Sequence, residues 1–254
     1  MGIAVYLIVC PLVFLAGLVD AIGGGGGLIS LPAYLLAGIP PHYAIATNKF
    51  SSSAGTLIST VRYCRHGCVD WITAIPGMAA AIAGAQIGAR LSLTASDEFL
   101  KIVMLFLLPV IAVYVLFRKE LERPEGADAM PRGKQIALIV SLTLLLGLYD
   151  GFYGPGTGTF LLLIYTDLCG MPLRNASGNM KLANLGSNLS SLAVFLINGV
   201  VLLPLGLTAA VFSIAGHYIG AGLAMKNGNR LIRIVILTVI ALLFAKMLTE
   251  LITG

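Results

Sequence analysis

The chain has 254 residues, 58% of them hydrophobic and 11% charged, with a mean hydropathy of +0.95. Soluble globular domains carry about 25% charged residues, so 16 Lys+Arg and 11 Asp+Glu are too few to coat a water-facing surface of this size. A soluble single domain, a nucleic-acid binder and a disordered chain are thereby excluded, which leaves an all-α, polytopic membrane protein. The formal charge of +5 is then loop charge that sets orientation in the bilayer.

A helix needs about 20 apolar residues to cross the hydrocarbon. The uncharged stretches predict eight long transmembrane helices, near 3–20, 42–61, 71–90, 99–117, 135–153, 175–197, 200–224 and 231–252. The first of these reads as a span rather than a removable signal peptide, because no small-residue cleavage site follows a basic start. Two apolar pieces, near 28–37 and 159–166, are too short to span and each follows a glycine-rich break, so they are expected as half-helices. The hydrophilic segment from Arg118 to Lys134 divides the chain into a first transmembrane repeat (1–118), a cytoplasmic linker (119–133) and a second repeat (134–254). The four cysteines, Cys10, Cys64, Cys68 and Cys169, read as small apolar residues. Cys64 and Cys68 flank His66 but lack a second ligand pair, so no metal is expected.

The two halves repeat. Gly17-Leu18-x-Asp20 returns as Gly147-Leu148-x-Asp150, and Gly24-x-Gly26 as Gly154-x-Gly156. Beyond a two-residue insertion, Lys49 falls on Lys181, Gly67 on Gly199, and Gly84-x-x-Ile87-Gly88-Ala89 on Gly216-x-x-Ile219-Gly220-Ala221. An ordered series of this kind is the mark of duplication. The loop with Arg62, Arg65 and His66 has an uncharged counterpart at 198–204, while the linker and the loop with Lys226, Arg230 and Arg233 are basic. Placing the basic loops inside puts the counterpart outside, which is an inverted-topology repeat. A parallel repeat of four spans each is the rival.

Three duplicated motifs carry the chemistry. The first is the pair of glycine-rich breaks, Gly23 to Gly27 and Tyr153-Gly154-Pro155-Gly156-Thr157-Gly158-Thr159. Each glycine inside a helix costs about 1 kcal/mol relative to alanine, and irregular backbone at membrane depth survives only when buried in protein or lining a cavity. A ligand could approach the main-chain N–H groups there, at the positive start of the following short helix. Neither break has the Lys-Ser/Thr of a nucleotide loop. Close helix packing is the alternative reading. The breaks contribute Gly24, Gly25, Gly26, Gly154, Gly156 and Thr157 as candidate substrate-binding residues.

The second motif is Asn48-Lys49 with Ser52, matched by Asn179, Lys181 and Asn184, with Asn188 one turn on. A lysine at a helix centre costs roughly 2.5–3.5 kcal/mol to insert, so it faces a partner or a wet cavity unless it snorkels to the interface. Lysine with amide and hydroxyl donors makes an anion cradle. The third motif is Asp20 and Asp150, each just ahead of its break. They could pair with a lysine of the same or the opposite half, carry a coupling proton, or cap freed N–H groups. The residues leave these open. His217-Tyr218 stands against Ala85-Gln86 in the repeat, as polar side chains that line the path or bond between helices.

The glycine run with Leu28 and Pro32, Thr47-Asn48-Lys49, Tyr149-Asp150-Gly151-Phe152 with the second break, and Asn179-Met180-Lys181-x-x-Asn184 resemble the TauE/SafE sulfite-exporter family across essentially the whole chain. The resemblance implies a multi-pass inner-membrane secondary transporter of small sulfur-containing anions, with sulfite, sulfoacetate and thiosulfate as candidates and export as the direction. The donor-rich, acceptor-poor core read from the residues suits the same ligand class. The expected partners are the anion, the lipid bilayer and protons as a candidate coupling ion, with a homodimer one use of the small-residue faces. No cofactor, nucleic acid or catalytic residue is expected. A passive anion channel and an intramembrane enzyme on a lipid phosphate are the alternatives; the second lacks an acid/base or metal constellation.

Overall fold

A computed structural model of the protein describes residues 2–100 and 130–226. All regular structure among them is helical. In chain order the helices are α1 (Ile3–Gly23), α2 (Gly27–Leu36), α3 (Pro41–Arg65), α4 (Trp71–Thr94), α5 (Arg132–Phe152), α6 (Thr157–Leu163), α7 (Leu173–Ile197) and α8 (Leu203–Lys226). One π-helical turn, Ile164–Leu168, extends α6. The expected helices near 99–117 and 231–252 lie outside the described residues, apart from a helical start at 97–100, as does most of the 119–133 linker.

Five of these helices, α1, α4, α5, α7 and α8, are long and apolar enough to cross a membrane. α3 is as long but more polar, and its polar residues turn inward: Thr47, Asn48, Lys49, Ser51, Ser53 and Thr56 are all buried. The lipid-type surface is carried instead by exposed Leu and Ile on the outer helices, such as Ile72 and Ile75 on α4 and Leu145 on α5. The inside of the bundle is therefore more polar than its outside, the reverse of a water-soluble core.

The halves pack reciprocally. On α4, Gly84 and Gly88 lie so close to α5 that an added Cβ would fall 2.7 Å from the backbone nitrogens of Leu148 and Phe152. On α8, Gly216 and Gly220 press on α1, where a Cβ would fall 2.9 Å from Leu18 N and 3.0 Å from Ala21 Cβ. Gly147 meets the Ala81 carbonyl as Gly17 meets that of Ser213. The third long helix of each half thus seats on the first long helix of the other half, through small residues that let backbones approach. These glycine faces are occupied within the chain, so they are not the free faces a homodimer would use.

Candidate functional site

Both broken helices stop because the backbone turns left-handed. Gly24 and Gly25 have φ of 76° and 85°, and Gly154 and Gly156 have 99° and 84°. Residues with a side chain resist those angles. The two breaks touch one another. A Cβ on Gly158 would lie 2.9 Å from Gly24 Cα, and one on Gly27 would lie 3.0 Å from Pro155 Cα. Thr159 Oγ1 donates across the seam to the Gly23 carbonyl at 3.3 Å, and Tyr149 braces the second break by donating to the Pro155 carbonyl at 2.7 Å.

The lysines reach the breaks from the middle helices, and each pairs with the aspartate of the opposite half. Lys49 Nζ on α3 is 2.7 Å from Asp150 Oδ2 on α5. Lys181 Nζ on α7 is 2.8 Å from Asp20 Oδ2 on α1 and also donates to the Asp20 carbonyl. Of the readings open for Asp20 and Asp150 in the sequence, cross-half pairing is realised, and Asp20 caps as well: its Oδ1 accepts from Gly26 N at 3.2 Å. A lone charge here would be severely penalised, whereas a paired and hydrogen-bonded one is tolerated.

The companions of the pairs differ. Lys49 also donates to Asn188 Oδ1 at 2.9 Å, and Ser187 Oγ donates to Asp150 Oδ2. Asn188 Nδ2 in turn contacts Thr56 Oγ1 at 3.5 Å and Asn184 Oδ1 at 3.4 Å. Around Asp20 the extra partner is His217 of α8, whose Nε2 is 3.2 Å from Oδ2.

A cavity opens between the breaks and the middle helices. Gly25, Gly26, Asn48, Lys49, Ser52, Gly154, Gly156, Thr157 and Asn184 all line it, as do Asp20 and Asp150. Three candidates do not. Gly24 is packed against Gly158 and Thr159 of the other break. Lys181 is fully buried behind Asp20. Asn179 points elsewhere: its Oδ1 accepts from Asp70 N at 3.0 Å and its Nδ2 donates to Thr73 Oγ1 at 2.8 Å, which fixes the start of α4. Its repeat partner Thr47 does the same for α8, accepting from Leu202 N at 3.1 Å. In both halves the polar residue two positions before the lysine anchors a helix start.

The lining also includes Thr56, Asn188, Ser30, Ser213 and His217. Asn188 and His217 were visible in the sequence as polar residues near the motifs. Thr56 was findable as the repeat partner of Asn188, 132 positions earlier; Ser30 and Ser213 carried no signal. The cavity wall is thus built from hydroxyls, amides, glycine backbone, an imidazole and the paired Lys49 ammonium, with each carboxylate already bound to a lysine.

A family model described as "Sulfite exporter TauE/SafE" matches residues 9–247. The chain is 35% identical over 239 residues to a probable membrane transporter protein, ORF9, of a Sinorhizobium species, covering 93% of this chain and 90% of that one. It is 33% identical over 253 residues to a probable membrane transporter protein of Haemophilus influenzae (98% and 96% covered) and 34% identical over 236 residues to the probable membrane transporter protein YfcA of Escherichia coli K12 (93% and 87%). No solved structure matches the chain. A helical chain with five candidate spans among its described residues, buried polar side chains behind apolar outer faces and relatives of this kind belongs to the TauE/SafE family of multi-pass membrane transporters.

Proposed function

We propose that the protein is a secondary transporter of small sulfur-containing anions, with sulfite, sulfoacetate and thiosulfate as candidate cargoes and export as its working direction. The observation that carries this reading is the Lys49 ammonium at the cavity wall, held by Asp150 at 2.7 Å and Asn188 at 2.9 Å. Asp150 stands where a cargo oxyanion would stand. An entering anion competes with that carboxylate for Lys49, while Ser52, Thr56, Thr157, Asn184 and Asn188 offer the hydrogen bonds that a dehydrated sulfur oxyanion needs. Each lysine is matched by a carboxylate when no anion is bound, and the Lys49–Asp150 pair re-forms after release.

In this reading the duplicated halves are inverted repeats, eight long helices and two half-helices in all, housed in the inner membrane. The cavity lies near the midplane between the repeats, and alternating access rocks one half against the other. The reciprocal α4–α5 and α8–α1 seams support this, since equivalent surfaces related by two-fold pseudosymmetry can exchange roles. Protons are the coupling ion.

Purified protein in liposomes is expected to accumulate labelled sulfite or sulfoacetate against its gradient when a pH gradient is imposed. Downhill flux alone would show a passive channel, and no flux of any such anion would overturn the reading.

A further inference from the structure

We infer that His217 carries the proton that travels with the anion, an inference that rests on the transport reading above. His217 is 2% exposed and lines the cavity. Its Nδ1 is 2.9 Å from the Ser213 carbonyl oxygen, a group that can only accept, and 3.4 Å from the Ser213 hydroxyl; the shorter contact assigns the hydrogen to Nδ1. Its Nε2 is 3.2 Å from Asp20 Oδ2. Asp20 Oδ2 already receives the Lys181 ammonium and Oδ1 receives Gly26 N–H, which is the environment of an ionised carboxylate. A lone pair on Nε2 would then face a carboxylate lone pair. The contact needs a hydrogen between the two atoms, and the hydrogen belongs to the ring. His217 is an imidazolium in this state.

The charge count follows. Two lysines and one imidazolium stand against two carboxylates, so the site holds one net positive charge. Binding a monovalent anion makes it neutral. The neighbouring ionisable groups among the described residues include Tyr63, whose hydroxyl donates to the Ala21 carbonyl at 3.0 Å, and Arg62, which donates to the Tyr218 carbonyl and stacks on the Tyr218 ring at 4.4 Å. Neither touches the imidazole in place of Asp20. Room for the ring is specifically made: a Cβ on Gly17 would lie 2.7 Å from His217 Nδ1, and one on Gly55 would lie 2.7 Å from Cε1.

On release, the Nε2–H bond breaks and the proton passes to cavity water, leaving neutral His217 with its hydrogen on Nδ1. The contact with Asp20 then turns repulsive, so α8 and α1 lose one of their links as the cargo leaves. Anion and proton move together and electroneutrally. Net direction follows their summed gradients, and export runs when the internal anion outweighs the inward proton gradient.

Two measurements on the full chain test this. Nitrogen-15 spectra of histidine-labelled protein in liposomes contain three ring systems, and that of His217 is the one lost in His217→Gln, or in His217→Asn should the first variant not fold. Both of its nitrogens are expected to be protonated near neutral pH; a neutral ring there overturns the proposal whatever the cargo. Flux is then followed with ethanesulfonate, a monovalent anion that does not titrate near neutral pH. The wild type is expected to take up one proton per sulfonate and to ignore an imposed membrane potential. In His217→Gln the proton-to-anion ratio falls toward zero and the flux becomes sensitive to potential. An undiminished ratio in the variant overturns the proposal while leaving anion transport intact, whereas no sulfonate flux in the wild type overturns the transport reading and the coupling with it.

Discussion

The two cross-half ion pairs have the same chemistry and the same place in their repeats, yet they are finished differently. Lys49–Asp150 sits on the cavity wall with Ser187 and Asn188 around it. Lys181–Asp20 is screened from the cavity by its own carboxylate and finished by His217. One repeat position explains much of this. Ser187 falls on Gly55, and the space a side chain would fill at Gly55 is taken by His217. Position 217 falls on Ala85 in the first half, which has no polar atom to offer Asp150. The two pairs are alike, and the difference between their neighbours leaves Lys49–Asp150 on the cavity wall and Lys181–Asp20 behind it with His217 alongside.

The strongest way to break this comparison is to remove the buried lysine. Lys181→Ala leaves Asp20 charged and enclosed, a loss of roughly 3–5 kcal/mol for a broken buried pair. Chemical denaturation is expected to show it, with Lys181→Met combined with Asp20→Asn recovering part of the loss. Lys49→Ala likewise strands a buried carboxylate, Asp150, and in addition removes the ligand response. At 100 times its dissociation constant an anion adds about 2.7 kcal/mol of stability, and thermal-shift titration with sulfite should show that gain in the wild type only. An equal gain in the variant would take Lys49 out of the site.

Smaller changes sharpen the comparison. Ser187→Ala deletes a hydrogen bond to a charged group, worth roughly 1.5–3 kcal/mol, and is expected to loosen Asp150 and destabilise the protein. Asn179→Ala removes the anchor at the start of α4 and costs about 1 kcal/mol, with no change in anion affinity. A large loss of affinity there would reinstate Asn179 as a ligand.

Much of this was legible in the sequence because lipid makes sequence rules strict. Charges inside apolar stretches must be paired or wet, so Lys49, Lys181, Asp20 and Asp150 stood out, and glycine runs announced the breaks. Repeat spacing aligned the halves, but it could not say that lysine and aspartate pair across them. That depends on α3 and α7 lying side by side between the breaks, a tertiary fact. The place of Asn179 was not legible, because an amide that satisfies a helix start and an amide that faces a cavity look the same in one dimension. His217 was underrated for the opposite reason: its role comes from α8 crossing α1, and its repeat partner is an alanine.

In the proposed cycle Asp150 occupies Lys49 in place of the cargo. Isothermal titration of sulfite into wild type and Asp150→Asn tests it most directly. With the internal competitor neutralised, binding is expected to tighten about tenfold, equivalent to 1.4 kcal/mol. Unchanged or weaker binding in Asp150→Asn would contradict the account.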